Sequence, residues 1–261
     1  MRRLALALLA TAAFTQIASA ADLPMKAPVK AVPMVAVYNW TGFYVGAHAG
    51  YAWGSSESVA IGGSNIVLIS QPTTVPRAVG ISPKGFLGGA QIGYNAQFNR
   101  MVVGIEADFS GANIRDSQNV DLPAATPVVR TTASEKISSL GTIRARLGMT
   151  PSDRLLAYVT GGFAFGRVNY SGNINEFFNT VPARQFNANS TVTKTGWTIG
   201  GGLEWAFANN WSLKGEYLYY NLGSTTITGP QTNPVVATEF ATYAFTTKGS
   251  IARVGANYKF N

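Results

Sequence analysis

Val103-Gly104-Ile105-Glu106-Ala107-Asp108-Phe109 changes character at every step: a greasy side chain, then a small or acidic one. Period-two alternation marks a strand with different surroundings on its two faces. Extended by a residue or two, one face holds Met101, Val103, Ile105, Ala107 and Phe109, and the other Gly104, Glu106, Asp108 and Ser110. A soluble sheet would have to bury the acidic face or expose the greasy one to water. A strand with lipid on one side and a polar lumen on the other satisfies both.

The same alternation recurs outward from this stretch. Upstream, Phe86, Ala90, Ile92, Tyr94 and Phe98 oppose Gly89, Gln91, Gly93, Asn95 and Gln97; before that, Phe43, Val45, Ala47, Ala49, Tyr51 and Trp53 oppose Gly42, Tyr44, Gly46, His48 and Gly50. Downstream, Ile143, Ala145, Leu147 and Met149 oppose Thr142, Arg144, Arg146 and Gly148, and Leu155, Ala157, Val159, Phe163 and Phe165 oppose Tyr158, Thr160, Gly162, Ala164 and Gly166. Trp197, Ile199, Leu203, Trp205 and Phe207 then face away from Thr198, Gly200, Gly202 and Glu204. The seventh set places Trp211, Leu213, Tyr217 and Tyr219 against Ser212, Lys214 and Glu216; the last places Ala252, Val254, Ala256, Tyr258 and Phe260 against Arg253, Gly255, Asn257 and Lys259.

The connections supply the topology. Asn99-Arg100, Thr150 to Asp153 and Ala208-Asn209-Asn210 are tight turns, whereas 55–83, 111–135, 171–192 and 223–247 are long and rich in Ser, Thr, Asn, Gly and Pro. Short turns at one end and long loops at the other are the plan of an outer-membrane barrel, with the turns periplasmic. The expected fold is therefore all-β: an eight-stranded antiparallel up-and-down transmembrane β-barrel with four mobile surface loops. Greasy-face aromatics cluster at two heights, Phe43, Phe98, Trp205, Phe207, Trp211, Tyr258 and Phe260 near the turns and Tyr51, Trp53, Phe86, Phe109, Trp197 and Tyr219 near the loops, as two interfacial girdles require. Trp40 lacks this parity.

Ahead of the strands, Met1-Arg2-Arg3, an apolar run from Leu4 to Phe14 and Ala18-Ser19-Ala20 form a cleavable signal peptide over residues 1–20. Residues 21–38, with Pro24, Pro28, Pro33, Lys26 and Lys30, form an extended periplasmic linker, and 39–261 the barrel. The chain has no cysteine, which removes disulfides and Cys-based zinc sites. A net charge of +8 without a dense Lys/Arg cluster, on a chain only 12% charged, argues against nucleic acid as a partner.

Several motifs together resemble the small opacity-type, porin-like outer-membrane β-barrel proteins of alphaproteobacteria. They are Tyr38 to Gly46, Gly85 to Tyr94, Val103 to Phe109, Gly141 to Gly148, Tyr158 to Gly162, Gly196-Trp197 to Glu204-Trp205, Glu216 to Tyr219, Arg253-Val254-Gly255 and the mature start Ala21-Asp22-Leu23-Pro24. The likeness covers every strand and none of the long connections. It implies a major surface protein, porin-like or structural, in a family some of whose members bind hemin. Such barrels usually end on an aromatic residue read by the assembly machinery. Tyr258 and Phe260 would carry that signal here, although Asn261 follows them.

The inward face gathers Glu106, Asp108, Glu204 and Glu216 with Arg144, Arg146, Lys214 and Arg253. An eight-stranded barrel is just wide enough for side chains to fill it, so these acids and bases should pair, with Glu106 and Asp108 reaching Arg144 and Arg146. His48 faces inward as a lumen hydrogen-bonder, with hemin ligand or catalytic base as alternatives. No catalytic, cofactor or metal site is expected. The expected function is a structural, surface-exposed barrel of the Gram-negative outer membrane that maintains the envelope. The alternatives are a small-solute pore and a hemin or host-ligand receptor. Expected partners are outer-membrane lipid and glycolipid and the assembly machinery, with a monomer favoured. Arg167, Lys84, Lys136, Lys194 and Lys248 are rim cations, either solvated or placed to meet glycolipid phosphates.

Overall fold

The computed structural model describes residues 38–63, 78–122, 128–178 and 181–260. The segment read as a signal peptide, all of the linker but Tyr38, and Asn261 lie outside the described residues. The described part belongs to the compact unit Val37–Asn261. Its elements are β1 (Gly42–Gly54), β2 (Ser56–Gly63), β3 (Ala78–Ile81), β4 (Lys84–Phe98), β5 (Met101–Leu122), β6 (Val128–Ser152), β7 (Leu155–Phe178), β8 (Val181–Ala206), β9 (Trp211–Asn233) and β10 (Val235–Lys259).

Eight of these strands close a ring in the order β1-β4-β5-β6-β7-β8-β9-β10, and β10 returns to β1 with Tyr44 opposite Lys259 and Gly54 opposite Gly249. Neighbours are antiparallel, so the chain forms the eight-stranded barrel that the alternation predicts. Closure pairs backbone groups that lipid cannot satisfy. The segments β2 and β3 continue β1 and β4 beyond interruptions at Ser55 and at Ser82-Pro83. Proline has no N–H to give a ladder. Pro83 instead accepts from Gly54 N at 2.8 Å, and Ser82 N turns to the Asp116 carboxylate at 2.8 Å.

The greasy faces point outward: Phe86, Ile105 and Val159 leave 74, 65 and 61% of their surface uncovered, a defect in water and a requirement in lipid. The girdle aromatics contact one another across strands. Trp211 meets Tyr258 edge-on at 5.2 Å near the turns, and Tyr51 meets Phe86 at 5.1 Å at the other end.

The long connections correct the sequence reading. Most of what was read as polar, mobile loops over 111–135, 171–192 and 223–247 is strand, and β6, β8 and β10 reach 25, 26 and 25 residues. About 9–11 tilted residues cross a bilayer. More than half of each strand therefore projects beyond the membrane, on the side away from the tight turns. This projection has its own core, made of Ile114, Val129, Ala133, Ile137, Val168, Tyr170, Ile174, Phe186, Leu222, Ile227, Tyr243 and Phe245 among others.

Outside the membrane the rule inverts, with apolar side chains inward and Thr132, Ser134 and Lys136 outward. Two strands also change parity at the crossing. On β6 a register shift between Ile137 and Ser139 moves the inward set from Leu140, Thr142 and Arg144 to Ile137, Glu135 and Ala133. On β9 the change falls at Gly223, whose φ of 74° is left-handed and suits glycine.

Glu135 is the anomaly of this upper core. It is buried, its Oε1 accepts from Thr247 Oγ1 at 2.8 Å, Tyr170 shares that threonine and Ser56 lies beside the carboxylate, while its Oε2 has no well-formed hydrogen bond among the described residues. The residue opposite it on β5 is another acid, Asp116. Burial raises the Glu135 carboxyl above its ordinary range. The folded protein thus holds this proton more tightly than the unfolded chain, so the contribution to stability is fully present below the ordinary carboxylate pKa and is lost as pH rises through the folded value. Glu135→Gln should stabilise the projection at neutral pH and flatten this dependence. Protease-resistance midpoints measured from pH 4 to pH 8 check it.

Candidate functional site in the barrel lumen

The lumen is filled in three tiers. At the turn end, Tyr38 and Trp40 fold in beneath the barrel and pack with Val102, Leu156, Tyr158 and Ala206. Their rings meet edge-on at 4.8 Å, Trp40 N donates to Gln97 Oε1 at 2.8 Å, and Lys259 Nζ donates to Asn39 O at 2.6 Å. Trp40 therefore seals the periplasmic mouth, which explains its missing girdle parity.

The middle tier is ionic. Glu106 on β5 receives Arg144 Nη2 at 2.5 Å, Lys214 Nζ at 2.8 Å, Tyr44 OH at 2.7 Å and, more distantly, Arg146. Arg144 on β6 also reaches Asp108 at 3.0 Å and Glu216 at 2.9 Å, while its Nε donates to Thr142 Oγ1. Arg253 on β10 spans the lumen to Asp108 at 3.1 Å and to Glu216 at 2.6 Å. Arg146 donates to Glu204 at 2.7 Å and lies 3.9 Å above the Tyr158 ring. Glu204 also accepts from Ser212 and Asn257.

All eight charged residues singled out from the sequence thus meet in one buried cluster. Glu106 contacts both arginines expected of it; Asp108 contacts Arg144 and takes Arg253 as its second cation. The sequence reading missed Tyr44, Thr142, Tyr158, Ser212 and Asn257 as members of the cluster. Their inward parity was visible, but uncharged groups gave no reason to single them out. The glycines of this face leave the space those rings occupy. A Cβ on Gly93 would strike the Tyr44 ring, and one on Gly202 would lie 2.8 Å from Tyr158 OH.

His48 is buried above this cluster. Its Nδ1 lies 3.2 Å from Gln91 Oε1 and its Nε2 2.7 Å from Ser110 Oγ. The uppermost tier is the apolar core of the projection. Tyr258 and Phe260 sit on the outer face in the periplasmic girdle, 5.3 Å apart. Of the rim cations, Lys194 Nζ donates to Ser224 O, whereas Lys84, Lys136, Arg167 and Lys248 are exposed.

Residues 5–260 match the family model described as outer membrane protein beta-barrel domain. The 31 kDa outer-membrane immunogenic protein of Brucella melitensis is 35% identical over 251 residues, spanning 95% of this chain and 96% of its own. The 25 kDa outer-membrane immunogenic protein of the same organism is 25% identical over 259 residues, spanning 95% and 92%. Among solved structures, the outer membrane protein OprG of Pseudomonas aeruginosa aligns with a TM-score of 0.47 at 11% identity, over 86% of this chain and 98% of its own. With a match that runs over almost its whole length, the chain belongs to the outer membrane protein beta-barrel domain family and is a protein of the Gram-negative outer membrane.

Proposed function

We propose that this protein is a structural barrel that maintains the envelope and carries a folded β-projection on the cell surface. The observation that carries the reading is the lumen, occupied at every level by an aromatic floor, a charge-balanced middle and an apolar roof. Opening a solute path through it would strip buried charges of their partners, at several kcal/mol each. The ring leaves no free strand edge at membrane height, which favours a monomer. His48 is buried in the lumen with Nδ1 beside Gln91 and Nε2 beside Ser110, so neither ring nitrogen is free for a hemin iron. The relatives named immunogenic support display of the projection outside the cell.

Refolded protein that shows heat-modifiable gel migration should give no steady unitary conductance in planar bilayers. Regular conductance steps from such protein would replace this reading with a small-solute pore.

A further inference from the structure

Just above the upper girdle, the outer face carries a line of like charges that no ion pair among the described residues neutralises. Lys84 on β4 stands directly opposite Arg115 on β5, and Arg115 directly opposite Lys136 on β6. All three are exposed. On β7, Asn169 continues the line opposite Lys136, and exposed Arg167 lies a step nearer the membrane, opposite Ser139. Below the line are the greasy positions Phe86, Phe109 and Phe163, so the cations sit where lipid tails give way to headgroups.

Directly opposed residues on adjacent strands stand about 4.5–5.5 Å apart, and like charges there are destabilising. A neutralising partner from the protein is scarce. Asp116 lies close enough to Lys84 to offset part of its charge, but its carboxylate is turned to Ser82 N, Ser117 N and Gln118, and no ion pair among the described residues joins it to any of the three cations. Across from Asp116, Glu135 turns into the core. Lys84 and Lys136 read as rim cations from sequence alone, but Arg115 falls in a segment that reads as loop, and only the register places it between them.

The geometry points to a phosphate-docking row, Lys84-Arg115-Lys136, for the phosphorylated headgroup of the outer-leaflet glycolipid. The row rests on the outer-membrane location and not on the closed lumen, so a conducting barrel would leave it standing. Guanidinium supplies a planar fork for phosphate oxygens and the flanking ammonium groups supply point charges, a division of labour suited to a bulky phosphorylated sugar. The lipid tails would then lie along the greasy belt below.

The test uses the mature chain refolded into phosphatidylcholine vesicles containing either bisphosphorylated lipid A or the same lipid A with its phosphates removed. The unfolding midpoint is read from heat-modifiable migration. The wild type should melt higher with the phosphorylated form. Lys84→Gln/Arg115→Gln/Lys136→Gln should lose that difference, and in phosphatidylcholine alone it should melt no lower than wild type because repulsion has been removed. Arg115→Gln alone should lose more of the difference than Arg130→Gln, whose cation pairs with Asp121 beyond the rim. Three outcomes would overturn the assignment: no phosphate-dependent difference in the wild type, a difference retained by the triple variant, or a shift reproduced by millimolar inorganic phosphate in phosphatidylcholine vesicles.

Discussion

Arg144→Ala should lower the unfolding free energy of the refolded barrel by about 3–5 kcal/mol, the range for removing one partner of a buried ion pair. Arg144 is the hinge of the middle tier. Its guanidinium touches Glu106, Asp108 and Glu216 at once, and its side chain is wholly buried. Alanine leaves those carboxylates to Lys214 and Arg253, which already serve Glu106 and Glu216, and to Arg146, which is engaged with Glu204. The cost is desolvation left uncompensated, and not the net worth of the pair, which is small for buried ions. Combining the change with Glu216→Gln restores the balance of charge and should recover part of the loss, a coupling that a double-mutant cycle isolates. Arg130→Ala, which removes an exposed pair with Asp121, should barely move the same midpoint. Urea unfolding of the barrel in vesicles supplies the measurement, and an Arg144→Ala midpoint equal to wild type would show that the cluster carries no stability.

The legible part of this molecule is the part in lipid. Between the girdles each strand has one solvent on each side, so parity alone sorts Ile105 from Glu106. The two-residue turn at Asn99-Arg100 fixes the β4–β5 register. The heights of Glu106 and Arg144 above their turns then place them directly opposite one another on β5 and β6. Contacts across the lumen were not legible. Arg253 meets Asp108 from β10 to β5, strands that are not neighbours in the ring, and no local spacing encodes that approach.

The projection was misread for a different reason. Its strands alternate as regularly as those below, but with apolar residues inward, and on β6 and β9 the shift in parity scrambles the pattern where it leaves the membrane. Viewed by the membrane rule, Thr132, Ser134 and Lys136 look like a polar loop. In water they are the outer face of a sheet whose other face is Ala133, Ile137 and their neighbours.

Phe245→Ala should separate these two halves. Phe245 is fully buried in the projection, 4.9 Å from the Tyr170 ring, between Thr225 of β9 and Ser58 of β2. Removing a buried phenyl ring costs about 3–5 kcal/mol through lost burial and the cavity left behind. That loss falls on a core separate from the ionic tier, in strands stabilised by packing and not by lipid. Opening of the projection should therefore precede unfolding of the membrane half, as local stability differs between cooperative units of one fold. Limited proteolysis should cut the variant above the girdles, within 223–247 or 128–140, while the residual fragments stay assembled as a heat-modifiable barrel. A wild-type digestion pattern would mean that the projection is held by its turns and ladders and that its apolar interior contributes little. Global loss of the barrel would mean that the two halves fold as one unit, with the apolar roof needed to hold the charged tier beneath it.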